Sequence, residues 1–214
     1  NNVNEIEAAG FKVGPKIAGN ECDEFYHAFF KGQRILCKKT NLNKCSGRYR
    51  ETLCRTSLRI KRYLGGNGDG RARGPNFIAV YDIFDLQHHF IYTFMEQVPG
   101  KSLFVRLAEE TIPPVLARQW TVELLHAIIA CQALGVAHRY LTLHHVLFDN
   151  ANKVKLSGWS RSIVYWEGNN ALLQQPEVRS RRNSHLPPDC FRKIPYDPSK
   201  VDIWSIGVIM VAMN

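Results

Sequence analysis

Several side chains that could do chemistry lie close together in the segment HRYLTLHH, residues 138–145. Its neighbouring histidines, His144 and His145, are of the type that ligates a soft metal, yet adjacent side chains point apart and no third ligand is evident. Tyr140 is a poor general base, because a tyrosine hydroxyl is protonated at neutral pH. We therefore expect neither a metal centre nor strong acid–base chemistry from this segment.

Cysteine spacing argues against two further kinds of site. The chain has six cysteines and no CxxC pair, unlike a zinc knuckle or a thioredoxin-like redox site. We expect small buried thiols of a reducing, intracellular compartment rather than a disulfide framework. The six are Cys22, Cys37, Cys45, Cys54, Cys131 and Cys190.

Basic residues are concentrated in one region. The formal charge is +9, yet the segment from Lys31 to Arg73 contains 13 lysines and arginines against only Glu51 and Asp69. This basic segment, residues 31–73, fits an acidic protein surface or, as an alternative, nucleic acid. Nucleic acid is the less expected partner, because no aromatic residues are interleaved for base stacking.

The chain as a whole has the composition of a globular protein. Its 214 residues are 45% hydrophobic and 22% charged, and no run of 18 apolar residues marks a membrane span. It begins at Asn1 rather than at a methionine and stops inside the apolar stretch 203–213, so we interpret it as a fragment.

The first half of the chain has strand-like patterns joined by short turns. Two of the turns, at Lys31-Gly32 and at residues 85–87, are of hairpin length. The predicted strands are Phe11–Ile17, Phe25–Phe30, Gln33–Cys37, Ile78–Phe84 and Phe90–Met95.

A helix is predicted between the third and fourth strands, since Leu53, Ser57, Ile60 and Leu64 recur with helical spacing. The glycine-rich segment 65–74 that follows fits no phosphate-loop spacing and is predicted to be a flexible connector.

The second half is predicted to be helical. Pro113-Pro114 opens a long helix that ends at Gly135. Apolar residues recur along it at Leu116, Trp120, Leu124, Ile128 and Cys131. Strands followed by helices predict an α+β protein with two lobes, residues 1–97 and 98–214, joined near residues 96–99.

Five stretches, taken in order, resemble the landmarks of the eukaryotic protein kinase superfamily. They are GPNFIAVYDIF (74–84), HRYLTLHHVLFD (138–149), KVKLSGWS (153–160), PPD (187–189) and YDPSKVDIWSIGVIM (196–210). The last of these and GFKVGPKI (10–17) are similar to serine/threonine kinases of the calcium/calmodulin-type or testis-specific branch. The resemblance covers residues 10–214 and implies a two-lobed kinase fold whose helical lobe stops after the central helix.

The glycine-rich loop that covers ATP in this family is altered. Ala18, Asn20 and Asp23 stand where its three glycines would be, so the close approach of backbone to phosphate is lost. Lys38 matches the phosphate-binding lysine, with Lys39 as an adjacent competitor. The helix glutamate that would pair with that lysine is replaced by Ser57.

The catalytic positions are altered as well. Tyr140 replaces the base aspartate, Thr142 the lysine that faces the transferred phosphate, and His145 the metal-binding asparagine. Gly158 replaces the aspartate of the Asp-Phe-Gly triplet, in which Trp159 takes the hydrophobic position. We therefore expect no bound magnesium and little or no ATP.

Framework positions of the family are present. The resemblance implies that Asp202 caps the backbone of the catalytic loop and that His138 packs below it. Arg139 stands where the family has an arginine that pairs with a phosphate on the activation segment, and with Tyr140 in place of the base its alternative role is local structure. Ser184, in the sequence RSRRNS, is a candidate for that phosphate because upstream arginines favour basophilic kinases. Arg139 and Ser184 are therefore predicted to be regulatory.

Loss of chemical groups with retention of framework is typical of a pseudokinase, which would act as an intracellular, cytoplasmic scaffold or regulator in signalling. Its expected partners are proteins, such as an active kinase or an acidic protein surface, and neither nucleic acid nor membrane. One alternative is an atypical ATP- and magnesium-dependent serine/threonine kinase in which Glu167 or Asp149 substitutes for the lost carboxylate. The other is nucleic-acid binding through the basic segment.

Overall fold

The computed structural model describes residues 3–44, 58–61, 63–64, 74–86, 89–167, 170–171, 185–192 and 195–214. The chain forms two compact units, one of residues 1–73 and 78–97 and the other of residues 74–77 and 98–214. Residues 74–77, which the sequence placed in the first lobe, thus belong to the second unit. The reason is that the Asn76 Nδ2 donates to the Val154 carbonyl oxygen at 2.9 Å and Phe77 forms a parallel bridge with Leu156.

The first unit contains a five-stranded antiparallel sheet in the order β1-β2-β3-β5-β4. All five predicted strands are confirmed, and most are longer than predicted. Strand β3 continues past Lys38 because the residues beyond it pair with β5. The strands are β1 Phe11–Gly19, β2 Asp23–Phe30, β3 Gln33–Asn41, β4 Val80–Leu86 and β5 Phe90–Met95.

An aromatic cluster forms the core of this sheet. The Phe11 ring stacks on Phe30 and on Phe94, each at a centroid distance of 4.3 Å. Ile35 and Cys37 of β3 are fully buried in the same cluster. Helix α1, Val3–Ala8, adds the buried side chain of Ile6.

The predicted helix before the fourth strand is described only in part. Residues 58–61 and 63–64 are helical, and Ile60 and Leu64 are buried, as the spacing predicted. Leu53, Ser57 and residues 65–73 of the predicted connector lie outside the described residues.

The second unit contains helices α2 Leu103–Glu109, α3 Pro114–Ala133 and α4 Pro198–Ala212. Helix α3 is the long predicted helix, with a proline in its first turn and Gly135 in left-handed conformation (φ 68°) just after its end. Trp120, Leu124 and Ile128 on its apolar face are buried, which confirms the predicted face.

Short strands of the second unit pair in three two-stranded sheets, β6 with β9, β7 with β8 and β10 with β11. The β7–β8 hairpin lies in the chain between the loop 138–145 and the segment 157–159. The strands are β6 Val136–Ala137, β7 Val146–Phe148, β8 Val154–Leu156, β9 Ile163–Val164, β10 Trp166–Glu167 and β11 Asn170–Ala171.

The described residues also show the state of the cysteines and the character of the helices. Their cysteines are free thiols, with Cys37, Cys131 and Cys190 buried and Cys22 half-buried. Within the same ranges, no helix has the length and apolar character needed to cross a bilayer.

Candidate functional site: the loop 138–145 and the segment 157–159

The loop 138–145 is anchored to helix α4 by a buried carboxylate. The Asp202 side chain accepts hydrogen bonds from the backbone N–H groups of His138 and Arg139, both at 2.7 Å. The predicted cap is thus confirmed. It holds Arg139 in a left-handed backbone conformation (φ 62°) that is unfavourable for a residue with a Cβ.

His138 is a structural residue of this loop. Its ring is fully buried, 4.7 Å from the Trp159 ring between centroids, and its Nε2 lies 2.7 Å from the Ser157 carbonyl oxygen. Burial lowers the pKa of His138 to about 3, so the ring is neutral and donates from Nε2 to that carbonyl. Burial also raises the pKa of Asp202 to about 7, against the opposing effect of its two backbone hydrogen bonds.

The resemblance places Tyr140 and Thr142 at the positions of the family's base and lysine. The guanidinium of Arg161 lies 4.4 Å from the centre of the Tyr140 ring, which gives the half-buried ring a cation–π contact. The Thr142 hydroxyl is buried and lies 3.2 Å from the His145 Nδ1. Neither side chain presents a carboxylate or an ammonium group.

His145 and Gly158 are in direct contact. The His145 Nδ1 lies 2.8 Å from the Tyr140 carbonyl oxygen, so this nitrogen carries the proton of the ring. The opposite edge of the ring faces Gly158, where a Cβ would lie 2.2 Å from the His145 Cδ2 and 2.6 Å from its Nε2. The imidazole therefore fills the space that any side chain at position 158 needs.

Two further properties strengthen this contact. Gly158 has a left-handed backbone conformation (φ 84°), which favours glycine on its own account. Burial lowers the pKa of His145, opposed by its hydrogen bond to the Tyr140 carbonyl, so the ring is neutral at physiological pH. A neutral ring with a backbone-bonded Nδ1 keeps one orientation against Gly158.

The segment after Gly158 is packed as predicted. Trp159 is buried and makes an edge contact with Phe77 at 5.9 Å between ring centroids. The predicted hydrophobic role of Trp159 is therefore confirmed.

The first histidine of the HH pair faces another element. His144 is exposed and stacks on the Phe104 ring of α2 at 4.0 Å between centroids. Among the residues that the structure describes, no three His, Cys, Asp or Glu side chains converge as a metal site.

Arg139, the predicted regulatory arginine, is only 3% exposed and its Nη2 donates to the Tyr196 hydroxyl at 3.1 Å. A phosphate would have to reach it inside the unit. Ser184 lies outside the described residues, so the pairing of these two residues stays a prediction.

Asp149 and Glu167 were the alternatives for the lost catalytic carboxylate. Asp149 Oδ1 accepts from the backbone N–H groups of Ala151 and Lys153 at 2.9 Å, which closes the β7–β8 turn. This is a structural role for Asp149. For Glu167 the structure describes the backbone in β10 and not the side chain.

In the first unit, Lys38 has a carboxylate partner that the sequence analysis missed. Its Nζ lies 2.8 Å from the Asp23 Oδ2. The competitor Lys39 points to the opposite face of the strand, with its Nζ 3.7 Å from Glu24 and 4.6 Å from the centre of the Phe90 ring. The register of the β2–β3 hairpin could have predicted this ion pair. Pairing of Phe30 with Gln33 places Asp23 opposite Thr40, and residues 38 and 40 lie on the same face of β3, so Asp23 and Lys38 are neighbours on that face.

Comparison with known proteins agrees with this framework. The protein kinase domain family matches residues 70–214. CBL-interacting serine/threonine-protein kinase 12 of Arabidopsis thaliana is 30% identical over 145 residues, which are 67% of this chain and 29% of that protein. Sperm motility kinase Z of Mus musculus is 31% identical over 140 residues, which are 65% of this chain and 27% of that protein.

The chain thus spans less than a third of the length of either relative. The family match includes the loop anchored by Asp202, the contact of His145 with Gly158, and helix α4. Since that match covers more than half of the chain, the chain belongs to the eukaryotic protein kinase superfamily.

Proposed function

We propose that this kinase domain is a pseudokinase, which transfers no phosphate and acts as a scaffold or regulator through contacts with other proteins. The observation that carries the proposal is the His145 ring against Gly158. A carboxylate at position 158 would collide with the ring unless the ring moved, because even its Cβ would lie 2.2 Å from the His145 Cδ2.

The chemistry of phosphoryl transfer supports this interpretation. Catalysis of that reaction depends on magnesium ions, a positioned carboxylate and cations around the transferred group. Magnesium prefers hard oxygen ligands, whereas His145 offers a ring nitrogen and Gly158 offers no side chain. Loss of a positioned base alone commonly removes roughly 10²- to 10⁴-fold in rate.

The retained framework supports a role in protein contacts. The Asp202 cap and the buried Trp159 maintain the loop and the segment after it, although the groups that would do chemistry there are absent. The partners we propose are an active kinase or an acidic protein surface, the latter facing the basic segment 31–73.

The test is to measure thermal unfolding of the purified protein with ATP, with and without magnesium, together with transfer of labelled phosphate to itself and to a generic protein substrate. A ligand present at 100 times its Kd stabilises a fold by about 2.7 kcal/mol, which is a readable shift of the melting temperature. We expect no magnesium-dependent shift and no transfer. A magnesium-dependent shift or measurable transfer would overturn the proposal in favour of an atypical serine/threonine kinase.

Single reversions provide a second test. Tyr140→Asp restores only the base, while position 142 and the two metal-ligand positions remain changed, and such groups act as a unit. We expect this variant to be inactive, and recovery of transfer by Tyr140→Asp alone would indicate that the remaining site is intact.

A further inference from the structure

We propose that the β1–β2 turn and strand β3 contain an anion site that the chain closes with its own side chains, Asn20 and Asp23. These residues stand at two of the three positions where the family loop has glycine. The ligand class that the open site would take is a polyphosphate, such as a nucleoside triphosphate or inorganic triphosphate. The inference rests on the proposed function, and it gives a reason within the first unit why this protein would bind little or no ATP.

The cation of the site is held by Asp23. Its Oδ2 lies 2.8 Å from the Lys38 Nζ, and its Oδ1 accepts from the Thr40 hydroxyl at 2.7 Å. The side chains of Lys38 and Asp23 are 21% and 25% exposed, so water screens this ion pair only in part. An arriving phosphate would have to displace a carboxylate that is fixed by a second hydrogen bond.

The backbone donors of the turn are held by Asn20. Its Oδ1 accepts from the backbone N–H groups of Cys22 and Asp23, each at 2.9 Å. Successive backbone N–H groups in a turn are the donors that bind anions in glycine-rich loops. Here the carboxamide oxygen of the chain itself occupies them.

The turn has little freedom to open. The Asn20 N–H donates to the Asp23 carbonyl oxygen at 2.7 Å, and the Asn41 N–H donates to the Cys22 carbonyl oxygen at the same distance. A Cβ at Gly19 would lie 3.0 Å from the Asp23 carbonyl oxygen, so the turn is also closely packed at its start.

Neighbouring charges add to the barrier for a polyanion. Two further lysines of the neighbouring strands, Lys16 and Lys39, both lie beside Glu24, and Glu21 is exposed on the turn itself. Each lysine at this end of the described strands thus has a carboxylate within 4 Å. The Asp23 carboxylate thus occupies the Lys38 ammonium group, and the Asn20 carboxamide oxygen occupies the backbone N–H groups of the turn. These are the two kinds of group that would bind an anion here.

The experiment measures binding of inorganic triphosphate and of ATP by calorimetry in EDTA, so that no metal contributes. The variants are Asp23→Gly and the double substitution Asn20→Gly with Asp23→Gly. The matched control is Glu21→Gly, which removes one negative charge and adds one glycine in the same turn without touching Lys38. We expect the double variant to bind at least about tenfold more tightly than Glu21→Gly, and Lys38→Met in the double variant to abolish the gain.

Equal affinity of the double variant and Glu21→Gly would overturn the inference, as would a gain that survives Lys38→Met. If the glycine variants do not fold, Asp23→Asn decides, since it removes the charge and keeps an oxygen for Thr40. An unchanged affinity of Asp23→Asn would also overturn the inference. These measurements contain no magnesium, so they are independent of any finding of magnesium-dependent transfer by the unsubstituted protein, which would overturn the proposed function instead.

Discussion

Substitution of Gly158 by aspartate is the sharpest test of the contact described above. The new side chain would meet the His145 ring at 2.2 Å, and the backbone would keep a left-handed conformation with φ 84°. The left-handed conformation costs roughly 1–2 kcal/mol for a residue with a Cβ. Overpacking adds about 1–3 kcal/mol, so Gly158→Asp should lower the free energy of unfolding by roughly 2–5 kcal/mol.

The magnitude is measurable by urea or thermal unfolding. For a domain of this size each kcal/mol shifts the melting temperature by roughly 2–4 °C, so we expect a decrease of about 4–20 °C. The matched control is Gly32→Asp, which has a similar backbone conformation (φ 78°) and no atom within 4 Å of the added Cβ. That variant should show the conformational cost and not the overpacking.

A double-mutant cycle with His145→Ala isolates the clash. Removing the ring should recover the overpacking part of the Gly158→Asp effect, as a coupling energy of roughly 1–3 kcal/mol. The steric conflict is refuted if Gly158→Asp lowers the free energy of unfolding no more than Gly32→Asp does. It is also refuted if the effects of the substitutions at positions 145 and 158 on the free energy of unfolding are additive.

Four further outcomes are expected. Asp202→Ala should lower the free energy of unfolding by roughly 2–5 kcal/mol, because it leaves two buried N–H groups without their acceptor, and a loss below about 1 kcal/mol in urea unfolding would contradict the cap. Burial lowers the pKa of His145 in the folded state, so below about pH 6.5 the unfolded chain binds this proton more readily than the folded chain does. The free energy of unfolding should therefore decrease from pH 7.5 to 5.5, and should decrease less for His145→Ala, by up to about 1.4 kcal/mol per pH unit. The Cys37 thiol, whose pKa burial raises to about 12, should resist iodoacetamide at pH 8 until urea unfolds the protein, and labelling of the native state would argue against its burial. Phosphorylation of Ser184 by a basophilic kinase should protect its segment from proteolysis. Protection that persists in Arg139→Ala would contradict the predicted pairing of this phosphate with Arg139.

Much of the framework could be predicted because local patterns determine it. The alternation of apolar residues gave the strands, and the Pro113-Pro114 start and Gly135 end gave helix α3. The role of Asp202 followed from a motif whose spacing is fixed by the fold, and the structure places its carboxylate as expected.

Contacts between changed residues were not predictable in the same way. The resemblance identified His145 and Gly158 as two separate losses, yet their packing depends on the ring orientation that the Tyr140 carbonyl sets. The pairing of Asp23 with Lys38 depends on hairpin register, which a strand prediction with uncertain ends leaves open.

The contact of His145 with Gly158 also means that substitutions at these two positions depend on each other. A carboxylate introduced at position 158 first would meet the ring, whereas replacement of the ring first would remove the three nearest atoms that an added Cβ would meet. A folded domain is stable by only about 5–15 kcal/mol, so the first route passes through an intermediate that has lost a large share of its stability. The order of the two substitutions therefore matters, because a carboxylate at position 158 costs less stability after His145 has been replaced than before.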